Sequence, residues 1–170
     1  MFSRRRTSPP KISASQALDN ILSRADYPAD RLVAKLTDRG YPKDEAERAV
    51  ADAVAGGWVD DRRLIGRIVP ALIRQGKGPR AIRAALAAKG FDARDIDAVD
   101  FGEILDTAEY DGRDADMVSA CAEVIRKKCT VENGRLTRES YAMLARRGYT
   151  GEIMRLALEK LLSEDGDPEG

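Results

Sequence analysis

Six basic side chains in the middle of the chain could bind phosphates or an acidic partner. They lie in a stretch without acidic residues, and they are Arg63, Arg67, Arg74, Lys77, Arg80 and Arg83. Helix positions four and eleven residues apart share a face, so the first three predict a basic face opposite an apolar stripe. The other three follow at three-residue steps through a predicted turn. We expect this basic strip to bind phosphates or an acidic protein, and a merely solvated face is the open alternative.

A second basic set lies nearer the carboxyl end, and an acidic segment separates the two. The members of the second set are Arg126, Lys127, Lys128, Arg135, Arg138, Arg146 and Arg147. Residues 92–116 carry ten acidic residues and two basic ones, and the chain has no net charge. So many carboxylates would repel a bare duplex, whereas a partner with both signs of charge would fit. From the second set we expect Arg126, Lys127, Arg146 and Arg147 to contact that partner.

The chain contains few residues of the types that catalyse reactions or bind metal ions. The chain has no histidine, which excludes Ser-His and Cys-His pairs. Cys121 and Cys129 lie about 12 Å apart along a predicted helix, too far to form a disulfide there and too few for a zinc site. The segment around Gly76, Lys77 and Gly78 lacks the spacing of a phosphate-binding loop. The sequence therefore predicts no enzyme, no cofactor and no metal, in a reducing cytoplasm.

A short phrase that occurs three times indicates which elements hold these side chains. It reads leucine, any two residues, a cation, glycine and an aromatic residue, and it begins at Leu36, Leu86 and Leu144. Its glycines are 50 and 58 positions apart, a period that fits three-helix units. Glycine commonly follows the last turn of a helix. Each phrase therefore predicts the end of a helix.

Apolar periodicity predicts helices almost throughout, and no segment has the alternation of a strand. The predicted fold is all-α: nine helices in an elongated tandem array of three three-helix repeats. The predicted divisions are a disordered basic tail over 1–13, repeats over 14–59, 60–112 and 113–163, and an acidic tail over 164–170. In the second repeat, we expect one helix from near Asp92 through Leu105, with Gly102 as the point that could interrupt it.

Two residues outside the charged sets carry structural expectations. Trp58 follows the helix stop at Gly56 and Gly57, where an apolar residue usually folds back on the last turn, so we expect it in the core. An anchor at an interface is the alternative for this residue. Pro70 falls inside a predicted helix and should kink it.

The middle of the chain resembles the RecX family of recombinase regulators. The resemblance lies in Gly57-Trp-Val-Asp-Asp61, then Gln-Gly-Lys-Gly78-Pro, and the leucine phrase from Leu86 to Phe91. It is specific over 57–91 and looser over 14–163, and Leu64-Ile65 and Pro70 depart from the family pattern. The most recognisable residues are expected to serve as caps, turns and core: Gly57, Trp58, Asp60, Asp61, Gly78, Leu86 and Gly90.

The resemblance implies a non-enzymatic protein that binds the RecA nucleoprotein filament. Such a protein would inhibit or modulate strand exchange, ATP hydrolysis and co-protease activity, in homologous recombination, DNA repair and the SOS response. The partners would be the RecA filament and single- or double-stranded DNA, and the protein would act as a cytoplasmic monomer away from membranes. Direct docking on DNA phosphates and a helical protein–protein scaffold are the alternatives that the residues leave open.

Overall fold

The computed structural model describes residues 11–107 and 116–164, except for the side chains of residues 105–107. The described part is helical apart from one short hairpin, which confirms the all-α class. The helices are α1 Ala14–Leu22, α2 Ala29–Asp38, α3 Lys43–Ala55, α4 Asp61–Arg74, α5 Pro79–Lys89, α6 Ala93–Asp97, α7 Phe101–Thr107, α8 Met117–Lys128, α9 Arg138–Arg146 and α10 Gly151–Glu164. Among the described residues, no helix is long and apolar enough to cross a membrane.

The chain forms two units that are each compact. The first combines Met1–Ile65 with Leu86–Ile96, and the second combines Gly66–Ala85 with Asp97–Gly170. This grouping does not test the three predicted repeats or their elongated arrangement, which stay predictions. The predicted tails lie almost wholly at residues 1–10 and 165–170, outside the described residues.

The three leucine phrases end three helices in the same way, as predicted. Gly40, Gly90 and Gly148 have positive φ angles of 95°, 91° and 89°, which favour glycine. In each copy the N–H of the following aromatic residue donates to the carbonyl of the phrase's leucine, at 3.2, 3.3 and 3.2 Å. This pattern is the Schellman motif. All three leucines and all three aromatic residues are buried, so each phrase closes a helix end against the core.

The acidic segment of the second repeat contains two short helices where we expected one. The break between α6 and α7 falls at residues 98–100, and Gly102 lies inside α7. The cause is Asp100, whose Oδ1 accepts hydrogen bonds from the backbone N–H groups of Gly102 and Glu103 at 2.8 and 3.2 Å. An aspartate that satisfies the first free N–H groups starts a new helix. The described residues therefore form ten helices instead of the predicted nine.

A two-stranded hairpin was also missed. The strands β1 Val131–Glu132 and β2 Arg135–Leu136 pair antiparallel, with Val131 opposite Leu136. Asn133 and Gly134 form the turn with positive φ angles of 51° and 72°, as a two-residue hairpin turn requires. Strands of two residues are too short to show an alternating pattern in the sequence.

The core of the first unit is built by α1, α2 and α3 around Leu18, Leu32 and Leu36. Ser13 begins α1 with a reciprocal capping box, in which its Oγ accepts from the N–H of Gln16 at 3.2 Å. In the second unit, α8 and α10 supply much of the core, including Ile125 and Ala157.

The prediction that Trp58 lies in the core is wrong. Its side chain is 77% exposed, although its backbone N–H completes the Schellman motif by donating to the carbonyl of Ala53 at 2.9 Å. The next residue, Val59, is buried in its place. Pro70 lies inside α4, which continues through it without interruption; the predicted kink stays a prediction.

Candidate partner-binding surface

Two backbone turns lock together in the second unit. The N–H of Gly78 donates to the carbonyl of Arg147 at 2.7 Å, and the N–H of Arg80 donates to the carbonyl of Gly148 at 3.2 Å. A Cβ atom on Gly78 would lie 2.5 Å from the carbonyl carbon of Gly148, and one on Gly148 would lie 2.4 Å from the amide nitrogen of Ala81. Only glycine at both positions allows this approach, so the turn between α4 and α5 rests directly on the turn after α9.

The guanidinium of Arg147 strengthens this contact. Its Nη1 donates to the carbonyls of Gln75 at 3.2 Å and Gly76 at 3.4 Å, just beyond the end of α4. A cation at a helix C-terminus also opposes the negative end of the helix dipole. Arg147 is half-buried, and its hydrogen bonds go to carbonyl groups of its own chain. It therefore supports the surface and is less suited to the partner contact that we expected of it.

The contact between the two turns brings cations of the basic strip and of the second basic set close together. Lys77 and Arg80 flank Gly78, and Arg146 precedes Arg147, so backbone contacts bring the four residues into one neighbourhood. Arg74 and Arg80 are exposed and Lys77 is half-buried. The side chains of Arg74, Lys77 and Arg80 form no ion pair with any other described residue. We call Arg74, Lys77 and Arg80 the turn cations.

The remaining members of the basic strip are placed less uniformly. Arg63 is exposed near the start of α4 and belongs to the first unit, whereas Arg67 is exposed in the second. Arg83 is half-buried, and its guanidinium carbon lies 5.0 Å from the centroid of the Phe101 ring. An arginine over an aromatic face is held by a cation–π interaction. Phe101 thus orients one end of the strip.

Arg126 and Lys127 at the end of α8 are paired within the protein. Nη1 of Arg126 contacts Glu123, and its Nη2 lies 2.7 Å from Oε2 of Glu164. Nζ of Lys127 lies 2.9 Å from the other oxygen of Glu123. The hydrogen bond from Lys127 is the main cause that lowers the pKa of the Glu123 carboxyl, and the charges of Lys127 and Arg126 lower it further. These two cations, here called the α8 cations, already have acidic neighbours.

The recognisable residues of the family-like stretch act as caps, turns and core. Asp60 caps α4 through a 2.9 Å hydrogen bond from the N–H of Arg63, and Leu86 is fully buried. Asp61 serves a different helix, because both of its oxygens accept from the N–H of Ala29 at 3.1 Å, at the start of α2. Gly57 has a φ of 72° with open space around its Cα. Trp58 departs from this structural set because it is exposed.

The pKa of the Asp61 carboxyl is raised. Burial is the main cause, and the carboxylates of Asp95, Asp30 and Asp60 act in the same direction, while the hydrogen bond from Ala29 opposes them. The folded state therefore holds this proton more tightly than the unfolded chain, and ionisation of Asp61 reduces stability as the pH rises through the raised pKa. Asp61 is therefore a half-buried helix cap with other carboxylates nearby.

The two cysteines offer little reactivity. Burial raises the pKa of the Cys121 thiol to about 12 and also raises that of Cys129, against the opposing effects of Ser140 and Arg147. A thiol with a raised pKa is a poor nucleophile and a poor metal ligand. Both cysteines are free, and the described residues contain no group of three or more side chains that could hold a metal ion.

Sequence reasoning missed three contributors to this surface. Glu123 stands four residues before Lys127, a spacing that pairs opposite charges on a helix, so its role could have been found. The contacts of Arg147 with Gln75 and Gly76 and of Arg83 with Phe101 join residues far apart in the chain. No local sequence pattern predicts these contacts.

Comparisons with known proteins point to one family. The family model described as the second three-helix domain of RecX matches residues 60–99. The chain is 36% identical over 134 residues to a regulatory protein RecX of Mycobacterium ulcerans, covering 78% of this chain and 73% of that protein. It is 28% identical over 156 residues to a regulatory protein RecX of Stenotrophomonas maltophilia, covering 90% of each.

Solved structures share the fold. A crystal structure of RecX from Lactobacillus salivarius has a TM-score of 0.68 and 17% sequence identity, over 87% of this chain and 94% of that one. A second crystal structure, of a regulatory protein RecX, has a TM-score of 0.62 and 19% identity, over 86% of this chain and 70% of that one.

Proposed function

The chain belongs to the RecX family, and on this premise we propose that it binds a RecA nucleoprotein filament and regulates it without catalysing a reaction. The regulated activities would be strand exchange, ATP hydrolysis and co-protease cleavage, in DNA repair and the SOS response. The protein would act in the cytoplasm as a monomer. The names of the relatives support a regulatory role.

The turn cations are the observation that carries this proposal. Arg74, Lys77 and Arg80 project from a turn whose backbone is fixed by Gly78 and Gly148, and no described acid neutralises them. A fixed backbone reduces the entropic cost of binding, because fewer conformations are lost when the partner binds. A filament of protein on DNA offers both carboxylates and phosphates to such cations. The basic strip and the Arg146 side chain beside it are therefore our candidate contacts.

The α8 cations are weaker candidates for contact. Arg126 and Lys127 would have to exchange Glu123 and Glu164 for groups of the partner. Exposed ion pairs contribute only about 0–1 kcal/mol, so the exchange is feasible but brings little net gain. We propose that they help to attract the partner at long range more than they hold it.

Titration of the protein into RecA-catalysed, single-strand-dependent ATP hydrolysis tests the proposal. We expect the hydrolysis rate to fall at micromolar concentrations or below, together with co-sedimentation of the protein with the filament. RecA without DNA is the matched control, since it contains no nucleoprotein filament. An unchanged rate, combined with no sedimentation at micromolar concentrations, would contradict the proposal.

Direct docking on DNA is the second candidate, and the unpaired turn cations favour it as well. If the three turn cations each contact a phosphate, the logarithm of the DNA affinity should fall with the logarithm of salt concentration at a slope of about −2 to −3. DNA binding of this kind in the absence of RecA would favour the second candidate. Filament binding without measurable DNA binding would favour the first, and binding to neither would leave a helical scaffold for another protein.

A further inference from the structure

The first unit has an open apolar groove between α1 and α3 that none of the features above uses. The groove has a volume of about 500 Å³. Its apolar lining consists of Leu18, Leu22, Ala49, Ala53 and Trp58. An apolar surface of this kind that stays open to water is typical of a binding site.

Trp58 is exposed but held in place within this lining. Its side chain is 77% exposed, yet a Cβ atom on Gly56 would lie only 2.9 Å from Cδ1 of its indole. Gly56 has an ordinary φ of −79°, so its own backbone needs no glycine. The missing side chain instead gives the indole room to lie against the end of α3. A tryptophan restricted in this way loses little freedom on binding, and tryptophan is enriched among the residues that dominate interfaces.

The polar part of the groove carries only negative charge. Asp19 of α1 and Asp52 of α3 belong to the lining, which contains no cation. Both residues are exposed, and neither forms an ion pair with another described residue. Complementary charge therefore favours a partner that places cations beside an apolar face.

The shape of the groove favours a helix as the occupant. The groove follows α1 from Ser15 to Ser23, about 12 Å for eight residues of helix. Apolar side chains at helix positions i, i+3, i+4 and i+7 form a stripe of about 10 Å, which matches this length. An extended peptide would need a strand edge to pair with, and the described residues of the first unit contain no strand.

We propose that this groove binds a basic amphipathic helix of another protein, with an apolar side chain against Trp58 and cations beside Asp19 and Asp52. The groove belongs to the first unit, whereas the turn cations belong to the second, so its role is independent of the proposed function. The chain then has a second interaction surface, whose charge is opposite to that of the turn cations.

A synthetic peptide is the probe for this site. It has about 16 residues, long enough to form some helix in isolation, with leucines on one face, lysines beside them and no tryptophan. The control peptide carries glutamate in place of every lysine. We expect the basic peptide to bind the full chain saturably at micromolar concentrations, more weakly as salt is raised, and the acidic peptide not to bind. Trp58 is the only tryptophan of the chain, so its emission should shift to shorter wavelength on binding.

Four substitutions in the full chain locate the site, with anisotropy of a labelled basic peptide as the measurement. Trp58→Ala should weaken binding by about thirtyfold or more, as for the anchor of an interface. Asp52→Lys should weaken it by about tenfold or more, because like charges would then meet. Tyr141→Ala and Asp38→Lys are the matched controls, exposed residues of the same kinds outside the groove, and should leave the affinity unchanged. Circular dichroism checks that all four variants keep their helices.

Three results would overturn the proposal. Absent binding, or equal binding of the basic and acidic peptides, would show that the charges of the groove select nothing. Equal losses for Asp52→Lys and Asp38→Lys, or no loss for Trp58→Ala, would place the peptide elsewhere on the chain. A shift of the Trp58 emission that grows with protein concentration in the absence of peptide would assign the groove to a second copy of this chain.

Discussion

The turn between α4 and α5 and the end of α8 both present clustered cations in the second unit, but their surroundings differ. The turn cations, Arg74, Lys77 and Arg80, have no described acidic partner and sit on a backbone locked by two glycines. The α8 cations contact Glu123 and Glu164 on their own unit. The charge of a segment therefore does not tell whether it is available for a partner. Its availability depends on which neighbours the fold supplies.

The largest effect should come from disrupting the locked turns. We expect Gly148→Ala to lower the free energy of unfolding by about 3 kcal/mol, because its Cβ would strike Ala81 and its φ of 89° disfavours alanine. Urea unfolding followed by circular dichroism measures this change. The folded molecules of this variant should keep the ion pairs of Arg126 and Lys127, because these pairs do not involve the locked turns.

Gly90→Ala is the matched control for that substitution. Gly90 closes the same motif with a φ of 91°, but its Cβ would meet only Arg31 at an ordinary distance of 3.5 Å. We therefore expect a loss of about 1 kcal/mol from the backbone strain alone. Equal losses at Gly148 and Gly90 would show that the close approach of the turns contributes nothing to stability.

A smaller effect should follow from removal of the guanidinium that supports the turn. Arg147→Met keeps much of the apolar stem and removes the hydrogen bonds to Gln75 and Gly76. We expect a loss of about 1.5 kcal/mol in urea unfolding, the lower end for bonds from a charged group, since Arg147 is half-buried. Arg146→Met should change stability by less than about 0.5 kcal/mol, as for other exposed positions. A larger loss of stability for Arg146→Met than for Arg147→Met would contradict the supporting role of Arg147.

The smallest effect concerns the ion pairs of α8. Glu123→Gln should cost less than about 1 kcal/mol at neutral pH, because the pairs are exposed. The pKa of Glu123 is lowered from its ordinary value of 4.5, so this stabilisation is present above that pH and is lost as the pH falls through the lowered pKa. Urea unfolding at several pH values should show the gap between wild type and variant closing below pH 4.5. A gap that widens in acid would contradict the assigned pairs.

The repeated phrase predicted local structure well, whereas longer-range contacts were beyond the sequence. Gly40, Gly90 and Gly148 were recognisable as helix ends because the Schellman motif is local and needs one glycine and one apolar residue. The break at Asp100 was not recognised, because Asp100 is one of several aspartates in a segment with helical periodicity and nothing in the sequence marks it as the cap. The exposure of Trp58 was not recognised, because an apolar residue after a helix end is usually buried. The lock between Gly78 and Gly148 joins residues 70 positions apart. Its glycines were explained separately, as a turn and a helix end.

The most direct test of the account compares neutralisation of the two cation groups in the RecA filament assay. One variant carries Lys77→Gln and Arg80→Gln, and the other carries Arg126→Gln and Lys127→Gln, so that both lose the same charge. We expect the first to raise the concentration needed for half-inhibition of ATP hydrolysis by about tenfold, equal to about 1.4 kcal/mol. The second should raise it by no more than about threefold, because those cations already have acidic neighbours. An equal or larger effect of the second variant would contradict the claim that the locked turn presents the binding cations.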